Sequence, residues 1–133
     1  MNNPPTSPTN TNYDVAVIGG GPGGAALATF LARAGHRCIV FEQAKYPRYH
    51  IGESLVPHTY GIFERLGMLP QLRASAFPVK HSVRFVAPDG KASLPFYFTE
   101  TIKGDGARTW QVERSRFDCM MLDHARANGV EVH

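Results

Sequence analysis

The stretch from Tyr13 to Glu42 constrains this chain more than any other. Residues 13–18 (YDVAVI) are a short apolar run rich in β-branched side chains, the pattern of a buried parallel strand. They lead directly into Gly19-Gly20-Gly21-Pro22-Gly23-Gly24. Residues 25–34 (AALATFLARA) are strong helix formers, with Gly35 behind them as a stop. Residues 36–41 (HRCIVF) read as a second strand that ends at Glu42. Strand, glycine turn, helix, strand and acid in this order predict a βαβ unit of a Rossmann-type α/β fold with a parallel sheet.

The turn has the composition that a pyrophosphate requires. Gly19 allows the chain to leave the strand tightly, Gly21 removes a side chain from the anion's path, and Gly24 lets helix and strand approach closely. Pro22 and Gly23 complete the candidate cofactor-binding turn, and the anion then meets the unpaired N–H groups and positive dipole end of the helix that follows. Glu42 stands at the tip of the second strand, about 20 residues on, where a carboxylate accepts both ribose hydroxyls of an adenosine. A 2′-phosphate would be repelled there, so a dinucleotide without one is expected.

Composition removes several function classes. A chain of 133 residues is one domain's worth. The net charge of +3 is spread along the chain, whereas nucleic-acid binding needs a concentrated basic face. No apolar run approaches the ~20 residues of a membrane span. Residues 1–12, rich in Asn, Pro and Thr, lack the features of a secretory signal and read as a disordered tail. Cys38 and Cys119 have no ligand or CxxC spacing and read as reduced, at least partly buried thiols, consistent with a cytoplasmic protein. The six histidines show no ligand spacing, so no metal site is expected.

A second pattern follows the βαβ unit. The segment Tyr46-Pro47-Arg48-Tyr49-His50-Ile51-Gly52-Glu53-Ser54-Leu55-Val56-Pro57 precedes an expected helix over 57–66, with Ser54 as its candidate cap. Together with the glycine turn, Glu42 and the later segment Trp110-Gln111-Val112-Glu113-Arg114-Ser115-Arg116-Phe117-Asp118, it resembles the FAD-dependent halogenases. The resemblance is to the branch acting on phenolic and pyrrolic substrates, and the wider relatives are single-component flavin hydroxylases and geranylgeranyl-reductase-like enzymes. It implies FAD on the first βαβ unit and puts Gly52, Glu53 and Ser54 beside the flavin. Arg48 and Arg114 would then also lie near the cofactor.

The resemblance further implies one catalytic lysine. In such enzymes reduced flavin, oxygen and chloride yield hypochlorous acid, and the lysine aims the electrophile at an aromatic ring. Lys80 is the candidate, opening a strand in Val79-Lys80-His81-Ser82-Val83-Arg84-Phe85. Its alternation puts Lys80 on the polar face, with Val79 on the apolar one. A partly desolvated amine has a lowered pKa and serves as proton donor or nucleophile. The implied partners are an aromatic small molecule, free or carrier-bound, and a separate flavin reductase.

Residues 79–87 and 92–99 flank Pro88-Asp89-Gly90-Lys91, a hairpin signal, and residues 79–112 read as a substrate-side β insertion in a partial FAD-binding domain over 13–133. Residues 103–107 read as a loop, 108–112 as a strand and 115–128 as a helix capped by Ser115 with Asp118. Residues 130–133 would start another strand of the parallel sheet. The family's late Gly-Asp segment and its Gly-Trp-x-Trp-x-Ile-Pro motif do not occur in these residues. The leading expectation is therefore the N-terminal FAD-binding part of a halogenase. The alternatives are an NAD(P)H-dependent aromatic hydroxylase and an inactive truncated flavin domain.

Overall fold

Three strands and two helices make the nucleotide half of the fold. The computed structural model describes residues 12–133; the tail reading of residues 1–11 lies outside it. Strand β1 (Val15–Ile18) leads through the glycine turn into α1 (Pro22–Arg33) and on to β2 (Cys38–Phe41). Near the other end, α4 (Arg114–Ala127) feeds β7 (Glu131–Val132). The sheet is parallel in the order β1–β2–β7, with Val15 opposite Cys38 and Ile39 opposite Glu131. The expected βαβ unit and the late return to the same sheet both hold. Helix α1 begins three residues earlier than the alanine run suggested, because Pro22 occupies its first turn, where no N–H is missed.

Small residues set the packing of this half. Ala25 and Ala28 of α1 are fully buried, and α1 and α4 pack closely together. Thr29 satisfies its buried hydroxyl by donating to the Ala25 carbonyl at 2.7 Å. On α4, Phe117, Met121, Leu122 and Ala125 face the core as their helical spacing requires. Phe117 takes Phe63 edge-on at 5.9 Å and Phe77 at 6.5 Å. It thereby ties α4 to α2 (Tyr60–Leu66) and to the chain beyond α3 (Leu69–Ala74). Trp110 is 1% exposed and stacks on Tyr60 at 6.3 Å.

The region between holds short strands in place of long ones. β3 (Val79–Lys80) pairs antiparallel with β6 (Thr109–Trp110), and β4 (Ser82–Val83) pairs with β5 (Phe96–Tyr97). The expected hairpin is present, closed by a Val86–Ala92 bridge with Gly90 in its turn. Residues 104–107 form a single 3-10 turn where a loop was expected.

Two cap expectations fail. Ser54 is bridged to Gln111, and a 3-10 turn at Pro57–Thr59 follows Val56 without any side-chain cap. Helix α4 starts at Arg114 behind Glu113, and the Ser115 hydroxyl donates to the Glu113 carboxylate at 2.6 Å. Asp118 is instead the partner of Arg114. At Ser54 the tertiary partner Lys80 takes the hydroxyl, whereas at the start of α4 the neighbouring side chains of Glu113 and Arg114 take the place of the backbone.

Candidate functional site

The glycine turn is built around one close approach. A Cβ on Gly24 would lie 2.0 Å from the Gly19 carbonyl oxygen and 3.2 Å from Val17 Cγ1, so only glycine lets α1 start this near the end of β1. Gly19 donates its N–H to the Phe41 carbonyl at 2.7 Å, locking the turn to β2. Gly21 stands at the N-cap position and accepts from Ala25 N–H at 2.9 Å. The N–H groups of Gly23 and Gly24 have no acceptor within the helix and point outward from its positive end. This end opens on a cavity of about 620 Å3 lined by Ile18, Gly19, Phe41, Glu42, Arg48 and His133. It lies at the carboxyl ends of the parallel strands, where open α/β sheets bind their ligands.

Glu42 and Arg48 face this cavity with opposite charge. The Glu42 carboxylate accepts from Gly20 N–H at 2.7 Å and from Ala44 N–H at 2.8 Å. The Ala44 hydrogen bond holds its carboxyl below the ordinary glutamate range, with burial opposing and the Gly20 N–H and Arg48 adding to the effect. Each oxygen retains a further lone pair for a ribose hydroxyl. Arg48 Nη2 is 4.0 Å from Glu42 and would be 3.5 Å from a Cβ on Gly21, so the guanidinium reaches across the turn. Tyr46 supports it, with its ring 5.1 Å from the guanidinium carbon and its hydroxyl donating to the Gly20 carbonyl at 2.9 Å. Arg48 Nε is buried without a hydrogen-bond partner among the described residues. A buried donor of this kind needs an acceptor, a part that a pyrophosphate oxygen would fit.

A second cluster gathers around Gly52. This residue is left-handed at φ +100°, and Arg114 Nη1 donates to the adjoining Ile51 carbonyl at 2.9 Å. Arg114 also grips Asp118 with two parallel bonds, Nε at 2.7 Å and Nη2 at 3.0 Å. Asp118 is fully buried and lies 3.8 Å from Arg48. Glu53 and Gln111 bring the Gly52 loop onto the chain leading into α4, since Val112 N–H donates to the Glu53 carbonyl at 2.8 Å. Asp118 and Tyr46 were missed from sequence. The i,i+4 spacing of Arg114 and Asp118 was the signal available for the first.

Lys80 makes the third part of the site, and its surroundings correct the alternation argument. Val79 is 44% exposed, whereas Lys80 is half-buried against an apolar wall. The strand is only two residues long and pairs with the buried Thr109–Trp110 strand, so alternation has no length over which to assert itself. The Lys80 ammonium donates to Ser54 Oγ and to the Leu55 carbonyl, the latter at 3.0 Å, and lies 5.9 Å from the Phe98 ring. Burial lowers its pKa from the usual lysine value. It borders a cavity of about 550 Å3 lined by Leu55, Val83, Phe85, Phe96, Phe98 and Ile102.

With this geometry in view, the comparisons with known proteins are specific. The FAD binding domain family matches residues 12–133. This chain belongs to that family. Its cofactor is FAD, and the glycine turn, Glu42 and the unpartnered Arg48 donor fit that group. The chain is 33% identical, over 91% of its length, to the chlorinase of 1H-pyrrole-2-carbonyl peptidyl-carrier protein from Pseudomonas fluorescens, and covers 30% of that protein. It is 36% identical over 90% of its length to the corresponding brominase of Pseudoalteromonas luteoviolacea, covering 28% of it. Among solved structures, the myxobacterial chondrochloren halogenase superposes with a TM-score of 0.83 at 40% identity, over 91% of this chain and 28% of that one. The expected resemblance to flavin-dependent halogenases therefore stands, and the chain spans about 30% of the length of these relatives. Among the described residues, no helix is long and apolar enough to cross a membrane.

Proposed function

We propose that this chain supplies the FAD-binding part of a flavin-dependent halogenase that acts on an aromatic substrate. The observation that carries the reading is Lys80, whose ammonium hangs from Ser54 and Leu55 at the edge of an apolar cavity, directly behind the Gly52 loop. Reduced FAD, with oxygen and chloride, supplies the electrophilic halogen. Gly21, Gly23 and Gly24 present N–H groups to the pyrophosphate, with room at Gly21 and open space at Gly23, Arg48 donates to it, and Glu42 accepts from the ribose. Pro22 starts α1 without spending a donor, and Gly19 orients the turn. The Gly52-Glu53-Ser54 loop, held by Arg114, borders the flavin.

Lys80 then does the chemistry that this chain itself contributes. Its ammonium donates a hydrogen bond to the oxidised halogen species and holds it toward the cavity, where Phe85, Phe96 and Phe98 orient an aromatic ring. The lowered pKa eases proton transfer to the oxygen that leaves. Two of the relatives act on pyrrole carried by a peptidyl-carrier protein, which supports a carrier-bound aromatic substrate here. A separate flavin reductase is the expected source of reduced FAD. Two reduced thiols, Cys38 and Cys119, support a cytoplasmic location.

The test uses the full-length protein with reduced FAD, oxygen, chloride and a panel of pyrrolic and phenolic substrates. A chlorinated product is expected from wild type, and Lys80→Ala should abolish it while reduced flavin is still reoxidised. Full-rate chlorination by Lys80→Ala would remove this residue from the mechanism. Rapid flavin reduction by NAD(P)H alone, with hydroxylated product, would favour the hydroxylase instead.

A further inference from the structure

A line of alternating charges crosses the site from one end to the other. It runs Glu42, Arg48, Asp118, Arg114, with separations of 4.0, 3.8 and 2.7 Å. One end is pinned to the glycine turn through Gly20 N–H, and the other to the Gly52 loop through the Ile51 carbonyl. Asp118 is the only member with no exposed side-chain surface, and both arginines converge on its carboxylate. It comes from the second turn of α4, so a rigid helix carries the point at which the two loops meet.

We propose that Asp118 is a positioning residue for FAD: it holds Arg48 over the glycine turn and Arg114 against the Gly52 loop, so that the two ends of the cofactor site keep a fixed relation. This rests on the assignment of Arg48 and the Gly52 loop to the FAD site. The bidentate Arg114–Asp118 pair fixes the guanidinium plane, which leaves Nη1 free to hold the Ile51 carbonyl. A Cβ on Gly52 would meet Arg114 Nη1 at 3.3 Å, so a side chain there would press on the same guanidinium. Arg48 receives only a long contact from Asp118, so it is oriented without being neutralised and its Nε remains available for an acceptor.

Charge and positioning make opposite forecasts for Asp118→Asn. Removing a negative charge beside Arg48 would by Coulomb attraction alone tighten an anionic ligand. Loss of positioning weakens it, and weakens FAD more than ADP, because ADP engages only the nucleotide end. Dissociation constants for FAD and ADP should be measured on the full-length protein, wild type and Asp118→Asn, beside Arg48→Met and Arg114→Lys. For Asp118→Asn a loss of at least tenfold for FAD is expected, against a few-fold for ADP. Arg114→Lys, which keeps the charge but not the fork, should weaken FAD and leave ADP unchanged; it carries the test if Asp118→Asn does not fold.

Equal losses for the two ligands would mark a merely structural role and overturn the proposal, as would unchanged or tighter FAD binding. If Arg48→Met leaves FAD affinity intact, the site assignment itself fails. If Arg48→Met weakens FAD while Asp118→Asn and Arg114→Lys do not, only the positioning role fails.

Discussion

Gly24 and Gly23 are adjacent in the same helix turn, yet the structure assigns them opposite responses to alanine. In Gly24→Ala the new Cβ would stand 2.0 Å from the Gly19 carbonyl oxygen, where ordinary contact begins near 3.4 Å. The start of α1 must therefore retreat from β1 by more than half of the ~1.5 Å helical rise per residue. The Gly19 carbonyl is backbone and a Cβ has no rotamer, so no side-chain motion relieves the 2.0 Å contact. Overpacking costs about 1–3 kcal/mol, and the lower chain entropy of alanine returns about 0.4–1 kcal/mol, for a net loss of about 1 kcal/mol. In Gly23→Ala the new Cβ meets nothing within 4 Å, and the substitution should stabilise the FAD-free protein by up to about 1 kcal/mol.

At roughly 4 °C per kcal/mol, the two variants should differ by roughly 8 °C in Tm. Thermal unfolding of the FAD-free protein reports this through Trp110, the only tryptophan of the chain and a buried one. Titration of Gly24→Ala with FAD should also show weakened binding, because the retreat carries the helix N–H groups away from the pyrophosphate. A Gly24→Ala protein that melts with wild type, or a Gly23→Ala protein that falls as far, would refute the close-approach account.

Two further predictions concern the ends of the site. The Glu42 carboxyl is held low in the folded state by the Ala44 and Gly20 N–H groups and Arg48. It therefore contributes stability above its unfolded value, and that contribution is lost as pH falls through the folded one. Glu42→Gln should be less stable than wild type at neutral pH and converge with it in acid, by urea unfolding at a series of pH values; a gap that persists unchanged into strong acid sinks the idea. Gly52→Ala forces a side chain into a left-handed residue beside Arg114, at a cost of about 1–3 kcal/mol, and should weaken FAD in the same measurement. Wild-type melting and wild-type FAD affinity for this variant would show that the loop is free to adjust.

Much of the fold was written locally. The run from Tyr13 to Glu42 specified strand, turn, helix and strand because each depends on near neighbours: β-branched residues for β1 and β2, alanines for α1, glycines for the turn. The glycine turn and Glu42 were readable for the same reason. The return of β7 to the same sheet was readable from the end of the expected helix at residue 128 and the Val130-Glu131-Val132-His133 run that follows. Strand periodicity misled at Lys80, because two-residue strands are set by what they pair with and not by their own alternation.

What the tertiary structure alone decided is who shares a charge with whom. Ser54, Ser115 and Asp118 looked like helix caps, since a sequence exposes only partners a few residues away. In the fold Ser54 meets Lys80 from 26 residues beyond it, and Arg114 holds Ile51 from 63 residues away. Asp118 gathers both arginines of the candidate site because α4 packs against α1. Local propensity is a property of the chain, but a buried carboxylate takes its role from the cations that packing brings to it.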